Sequence, residues 1–135
     1  MLIFNLFVFS IISYGQLVDK ELKPFYDSFY TECFRHRKKC KISSLKFDPT
    51  MQYKFQLSGF GDRKLNTAWI NKSAFEGSTN DYKEMLIFHE LGHVSLMRDH
   101  CNLPKSIMNQ YLIPEEFYLA NKKDLMVELF KGKCK

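Results

Sequence analysis

The sequence predicts a small α+β domain in which a helix carrying two histidines packs against a sheet. Apolar residues recur at helical spacing toward both ends of the chain, and they alternate with polar residues in its middle. Between these regions, residues 81–97 combine a helix-forming composition with the pair His89 and His93. We expect a twisted, mostly stranded N-terminal sheet with a backing helix, then the histidine-containing helix, and a short C-terminal part with one further helix.

The backing helix is predicted at residues 20–34. Its apolar positions are separated alternately by three residues and by one, which is the pattern of a single buried face. Asp19 is expected to cap the first turn, and Pro24 lies near enough to the start to be tolerated. The apolar face consists of Leu22, Phe25, Tyr26, Phe29, Tyr30 and Cys33.

The strands are predicted between this helix and the histidines. Residues 51–57 alternate apolar and polar side chains without a break, and residues 45–47 and 65–71 are the other candidates. Residues 58–62 contain two glycines and are expected to form a turn. Residues 77–80 are expected to be a loop whose polar side chains cap the helix at residues 81–97.

The clearest chemical signal is the stretch His89-Glu90-Leu91-Gly92-His93, an HExxH pattern. Positions i and i+4 of a helix lie on one face, so both imidazoles can bind the same metal ion. Zinc lowers the pKa of a bound water to about 7, and a carboxylate beside it can take the proton. The pattern therefore predicts a zinc cofactor and metal-assisted hydrolysis, with Glu90 as the catalytic base.

A catalytic zinc ion usually has three protein ligands, so one is missing from HExxH. His100 and Asp99 are the nearest candidates. In a straight helix His100 would lie about 10 Å along the axis from His93, so the helix must break after about residue 96. No glycine is present there, and Asp99 and Asn102 are the residues expected to tolerate a left-handed turn. His100 is preferred, because neutral imidazole binds zinc better than a lone carboxylate.

A second helix is the other possible source of the third ligand. Pro114, followed by Glu115 and Glu116, is typical of a helix start, and this last helix is predicted to run to about residue 130 before Gly132. Either glutamate could bind the metal. Their position in the first turn is also explained by the helix dipole.

The residues around the histidines resemble the metzincin clan of zinc peptidases. In that clan a helix break, usually at glycine, brings a third histidine or aspartate to the metal, and a tight turn with a methionine lies beneath the site. Here the spacing HExxHxxxxxxHC is similar to that of archaemetzincins, and Ser106-Ile107-Met108 resembles the methionine turn. Leu96 or Met97 stands where the clan has glycine. The more common clan spacing would select Asp99 as the third ligand.

The resemblance implies a minimal metzincin-like endopeptidase, acting as a monomer on a peptide or protein substrate. It implies zinc bound by His89, His93 and His100, with Glu90 as base and later as proton donor. Tyr111 lies one residue later than a tyrosine that stabilises the oxyanion in astacin-like members, and we carry that role over to it. The substrate is expected to lie extended along an edge strand, for which residues 65–71 are the candidate.

The N-terminus and the cysteines indicate export. Residues 1–15 form a short apolar run ending in small residues, which is typical of a cleaved signal peptide; residues 16–135 would then form one domain. Of the three possible pairings of the four cysteines, Cys33–Cys40 with Cys101–Cys134 is preferred. We expect a secreted or periplasmic protein with no stable membrane insertion after cleavage.

The net charge of +5 is concentrated in a basic run at residues 35–41. Such a run can bind nucleic acid, an anionic envelope surface or an acidic substrate, but it is more often a solvated loop. Nucleic acid is not expected, because the run has no interleaved aromatic residues. Two alternatives to a peptidase remain: an inactive metal-binding module and a basic secreted protein that binds a partner.

Overall fold

A computed structural model describes residues 17–51, 57–103 and 105–132. Within these residues, a 3₁₀ turn at Lys20–Leu22 precedes four α-helices and three strands. Their order along the chain is α1 (Lys23–Arg35), β1 (Ser44–Phe47), β2 (Gly59–Asp62), β3 (Thr67–Ile70), α2 (Lys72–Glu76), α3 (Asn80–Ser95) and α4 (Glu115–Lys131). The predicted α+β class is confirmed, but the described residues form a small three-stranded mixed sheet and not the mostly stranded metzincin-like sheet that was expected. The predicted signal peptide, residues 1–15, lies outside the described residues.

The sheet is mixed, with strand order β1-β3-β2. β1 runs parallel to β3, and β2 runs antiparallel to it. β3 is therefore the central strand, and the prediction that residues 65–71 form an edge strand is wrong, because both edges of β3 are already paired. The predicted strand at residues 51–57 falls mainly on residues 52–56, which lie outside the described residues.

β2 replaces the turn predicted at residues 58–62. Its glycines permit close packing on α3: a Cβ atom at Gly59 would lie 2.7 Å from Cγ of Glu90, and one at Gly61 would lie 2.8 Å from Cβ of His93. Glycine in a strand often marks such a close approach of two backbones, and the sequence pattern does not distinguish it from a turn. The turn prediction is therefore wrong, and the glycines bring a strand against the histidine-containing helix.

The predicted histidine-containing helix is α3, which occupies the middle of the molecule. Thr79 caps it by accepting a hydrogen bond from the backbone N–H of Tyr82 at 3.2 Å, as expected for the loop at residues 77–80. The helix packs against α1, β2, β3 and α4. Because elements cover it on several sides, its second half is buried almost without interruption; the buried residues are Met85, Leu86, Ile87, Phe88, His89, Glu90, Leu91, Gly92, Val94 and Ser95.

α3 ends at Ser95, where the sequence predicts a break, and Leu96 is its C-cap residue. The left-handed residue is Met97, with a φ of 57°, and not Asp99 or Asn102 as expected. The chain has to turn directly after the end of the helix, because the carbonyl oxygen of Arg98 accepts a hydrogen bond from Nδ1 of His93. Met97 thus adopts a conformation that residues with a Cβ atom rarely take.

The outer helices agree with the predictions at residues 20–34 and 114–130 within a few residues. Asp19, however, makes no side-chain cap; its carboxylate accepts a hydrogen bond from the backbone N–H of Phe47 at 2.7 Å and so binds the start of the chain to β1. The short helix α2 was not predicted, and Asn71 caps it with its side chain. None of the helices described here combines the length and apolarity needed to cross a bilayer.

The disulfide Cys33–Cys40 is present, as predicted. It closes the basic loop that follows α1. Cys101 is buried and is not a free thiol. The second predicted pair, Cys101–Cys134, stays a prediction, because Cys134 lies outside the described residues.

Candidate metal centre

The helix break returns the chain to α3 and brings three histidines together. One ring nitrogen from each of His89, His93 and His100 lies within 4.8 Å of the others. Nε2 of His89 and Nε2 of His93 are 3.2 Å apart. His89 is buried, His93 is half-buried and His100 is exposed, so the cluster opens to solvent on the side of His100. The three side chains selected from the sequence therefore form a group able to hold a metal ion.

The hydrogen bonds of two rings decide where their protons lie. Nδ1 of His89 is 2.6 Å from the carbonyl oxygen of Ile107, and Nδ1 of His93 is 2.7 Å from the carbonyl oxygen of Arg98. A carbonyl only accepts, so each Nδ1 donates and each neutral ring carries a lone pair on Nε2. Two lone pairs facing each other at 3.2 Å repel, and a cation between them removes that cost.

The donor set fits zinc. Zinc binds imidazole nitrogen at about 2.0–2.1 Å in tetrahedral sites, which places two such ligands about 3.4 Å apart. The separation of 3.2 Å between the two Nε2 atoms agrees with this geometry. Burial lowers the pKa of His89 to about 4 and also lowers the pKa of His93, so both rings are neutral at physiological pH. Neutral imidazole is the form that binds metal.

The other candidate ligands lie elsewhere. The carboxylate of Asp99 is 86% exposed and pairs with Arg63 at 2.9 Å. Glu115 accepts a hydrogen bond from the hydroxyl of Thr79, at the start of α3. Glu116 is exposed on the first turn of α4. Within the described chain none of these carboxylates joins the three histidines.

Glu90 lines the same cleft as the histidines, an open space of about 1070 Å³. Its side chain is 5% exposed, and burial raises the pKa of its carboxyl to about 8. Gly59 of β2 lies directly against it. A residue larger than glycine at this position would push the carboxyl away, so β2 forms the wall that holds Glu90 in place.

Met108 and Tyr111 occupy different surroundings. Met108 is fully buried beneath α3, where a Cβ atom added to Gly92 would lie 2.5 Å from its sulfur. This explains the glycine within the helix, because the methionine fills the space that a side chain would need. Tyr111 is 78% exposed at the rim of the cleft, and its proposed oxyanion role stays a prediction.

A carboxylate on α4 connects the two segments that orient the histidines. Glu128 accepts hydrogen bonds from the guanidinium of Arg98 at 2.6 Å and from the hydroxyl of Ser106 at 2.8 Å. The same guanidinium donates to the carbonyl oxygens of Glu128, Leu129 and Gly132 at the end of α4. Nδ1 of His93 donates to the carbonyl oxygen of Arg98 itself. Nδ1 of His89 donates to the carbonyl oxygen of Ile107, the residue after Ser106.

Arg63 supports the same loop from the opposite side. It donates to the carbonyl oxygens of His93 at 3.0 Å and of Arg98 at 2.6 Å. Sequence reasoning missed Arg63, Arg98 and Glu128, since the partners named here are 22 or more residues away and no local pattern marks them.

We expect Glu128→Gln to lower zinc affinity about ten- to a hundredfold, because outer partners of metal-binding histidines typically contribute that much. Competition with a zinc-binding dye measures it. Glu84→Gln is the matched control: Glu84 is also a partly buried carboxylate between two helices, bonded to Tyr118 and Lys122, but has no link to the histidine carbonyls. An equal loss of affinity in both variants would show that general destabilisation is responsible.

Zinc binding is expected to release a proton from Glu90. Burial raises the pKa of its carboxyl to about 8, so it is mostly protonated at pH 7 before zinc is added. A nearby dication favours the ionised carboxylate and expels the proton. Calorimetry in buffers of different ionisation enthalpy should therefore count about one more proton for the wild type than for Glu90→Gln at pH 7. The difference should disappear above pH 9, where the carboxyl is already ionised, and a constant difference would contradict the assignment.

Comparisons with models of protein families, with curated proteins and with solved structures find no match to this chain. The functional conclusion therefore depends on the chemistry of the site itself.

Proposed function

We propose that the protein is a zinc-dependent endopeptidase whose site follows the minimal metzincin-like pattern. The observation that supports it most strongly is the convergence of His89, His93 and His100, with Nδ1 of the first two rings bound to carbonyls and Nε2 directed inward. Glu90 lines the same open cleft. Three imidazoles with a carboxyl group beside them form the usual arrangement for metal-assisted hydrolysis.

Bound zinc would lower the pKa of a coordinated water to about 7 and polarise the carbonyl of the substrate. Glu90 accepts the proton of the attacking water and later delivers it to the amine that leaves. Burial raises the pKa of Glu90, and a bound dication would lower it again, so that the carboxyl is ionised and able to accept this proton. Gly59 limits the movement of the Glu90 side chain, so the carboxyl stays on the cleft side.

The substrate would be a peptide bound in extended form along β2. This strand lines the cleft, and no other described strand pairs with its outer edge. An extended peptide can add to such an edge through backbone hydrogen bonds, which do not depend on side-chain identity. The disulfide Cys33–Cys40 fits an oxidising compartment and supports export as part of this proposal.

The direct test is hydrolysis of an unfolded protein such as reduced casein. We expect cleavage by the zinc-loaded protein, loss of cleavage after chelation, and recovery when one equivalent of zinc is returned. Zinc binding without cleavage of any protein substrate would favour the alternative of an inactive metal-binding module. Absence of zinc binding by the folded protein would contradict the proposal altogether.

A further inference from the structure

Three segments meet and form what we call the loop face: residues 34–42, which comprise the last two residues of α1 and the loop after it, residues 63–66 between β2 and β3, and residues 95–98 at the end of α3 and after it. Hydrogen bonds connect all three. The backbone N–H of Lys41 donates to the carbonyl oxygen of Ser95 at 3.1 Å. The side chain of Asn66 donates to the carbonyl oxygen of Ile42, and the side chain of Arg63 donates to that of Arg98. The loops therefore form one continuous surface.

Large apolar side chains are exposed on each loop. Phe34 is 85% exposed, Ile42 58%, Leu65 65% and Met97 53%. Scattered exposed apolar residues are common, but here four of them lie on segments that hydrogen bonds connect, and a concentration of exposed apolar residues can mark an interaction site. These four side chains are more than half exposed, so they contribute little to the hydrophobic core.

The same segments carry exposed positive charge. The cations are Arg37, Lys38, Lys39, Lys41 and Lys64, and no salt bridge engages them within the described residues. The neighbouring acids already have partners. Glu32 pairs with Arg35 and His36, Asp99 pairs with Arg63, and Asp62 accepts hydrogen bonds from the backbone at Lys64 and Leu65.

Backbone strain is concentrated here as well. Arg37, Asn66 and Met97 have φ angles of 52°, 51° and 57°, and they are the non-glycine residues with positive φ in the described chain. Each belongs to a different loop of the loop face. Residues held in such conformations cluster at functional sites, and that of Met97 already serves the turn that brings Arg98 to His93.

We propose that the loop face docks on an anionic lipid membrane. Cations attract the negatively charged headgroups, and the apolar side chains between them enter the boundary with the acyl chains. A nucleic acid fits less well, since Phe34 is the one aromatic ring among the four exposed apolar side chains, and Ile42, Leu65 and Met97 offer no surface on which a base could stack. Arg63 and Lys64 also line the cleft, so a docked protein would hold its cleft close to the bilayer surface.

Tryptophan fluorescence tests this orientation directly. The chain has a single tryptophan, Trp69, half-buried in the central strand, which gives a constant background. Leu65→Trp places a probe on the loop face, and Leu119→Trp places the matched probe on α4, where Leu119 is 54% exposed. The full chain is purified as its host processes it, and thermal unfolding confirms that each variant folds.

We expect brominated phosphatidylglycerol in phosphatidylcholine vesicles to quench Leu65→Trp, and not Leu119→Trp or the wild type. Pure phosphatidylcholine vesicles should give little quenching. Adding Lys38→Glu and Lys39→Glu to Leu65→Trp should reduce partitioning at least about tenfold, since each basic residue near an anionic surface contributes measurably to binding. Residues 1–15 are the same in every variant, so differences between variants report on the loop face.

Equal quenching of the two probes would overturn the proposal, as would equal partitioning into neutral and anionic vesicles. Tighter binding to single-stranded RNA than to anionic vesicles would also overturn it and assign the surface to nucleic acid. None of these readouts requires peptidase activity, so the inference can fail or hold independently of the proposed function.

Discussion

Replacing Glu90 by glutamine is expected to lower the rate of peptide hydrolysis by about 10²- to 10⁴-fold, the usual contribution of a general acid–base group. Glutamine has nearly the same shape but cannot take the proton of water. Because Glu90 is not one of the three clustered ligand groups, zinc content should stay close to that of the wild type. The measurement is the initial rate on casein with zinc content determined on the same sample.

The control for Glu90→Gln is Glu84→Gln, which removes a carboxylate from the same helix outside the cleft. Its bonds to Tyr118 and Lys122 concern packing of α3 on α4, so the rate should stay within a few-fold of the wild type. A Glu90→Gln protein that keeps its zinc and cleaves at the wild-type rate would rule out Glu90 as the base. Loss of zinc in that variant would indicate a ligand role.

Replacing His100 by alanine is expected to have the second large effect, a loss of zinc binding of more than about a hundredfold. Removal of a direct ligand should lower zinc affinity by more than the ten- to hundredfold that is typical for removal of a residue that hydrogen-bonds to a ligand. The ring nitrogen of His100 lies within 4.8 Å of those of His89 and His93. Two remaining imidazoles would leave the metal with fewer protein ligands than catalytic zinc normally has. Zinc content after dialysis against a weak chelator measures the loss.

The matched control is Asp99→Ala, one residue earlier on the same loop. Its carboxylate is 86% exposed and pairs with Arg63, and exposed pairs of this kind contribute little to stability. We therefore expect zinc content close to that of the wild type. Loss of zinc with Asp99→Ala alone would move the third ligand to Asp99. Retention of zinc in both variants would contradict the three-histidine site.

The helical part of the fold and the core of the site were predictable from local patterns. Spacing of apolar residues identified α1 and α4, and the 5.4 Å pitch of a helix required both histidines of HExxH to share one face. The same geometry required a break after about residue 96 if His100 was to reach them, and the helix does end at Ser95. These features depend on residues close together in sequence.

The features that failed depend on contacts between distant residues. Gly59 and Gly61 were interpreted as a turn, whereas their lack of a side chain serves close packing of β2 on α3. β3 was expected at an edge, but strand order is decided by long-range pairing. Arg98 and Glu128 gave no local signal at all, because a partly buried ion pair between residues 30 positions apart has no pattern in sequence.

The link through Glu128 has a consequence for the time at which the site becomes complete. A chain interrupted before α4 would contain all three histidines and Glu90, but it would lack the carboxylate that connects Arg98 to Ser106. During synthesis, α1, the sheet and α3 leave the ribosome before Glu128 does. In a nascent or truncated product the carbonyls that orient His89 and His93 would lack this support, so tight metal binding would arise only once α4 has been made.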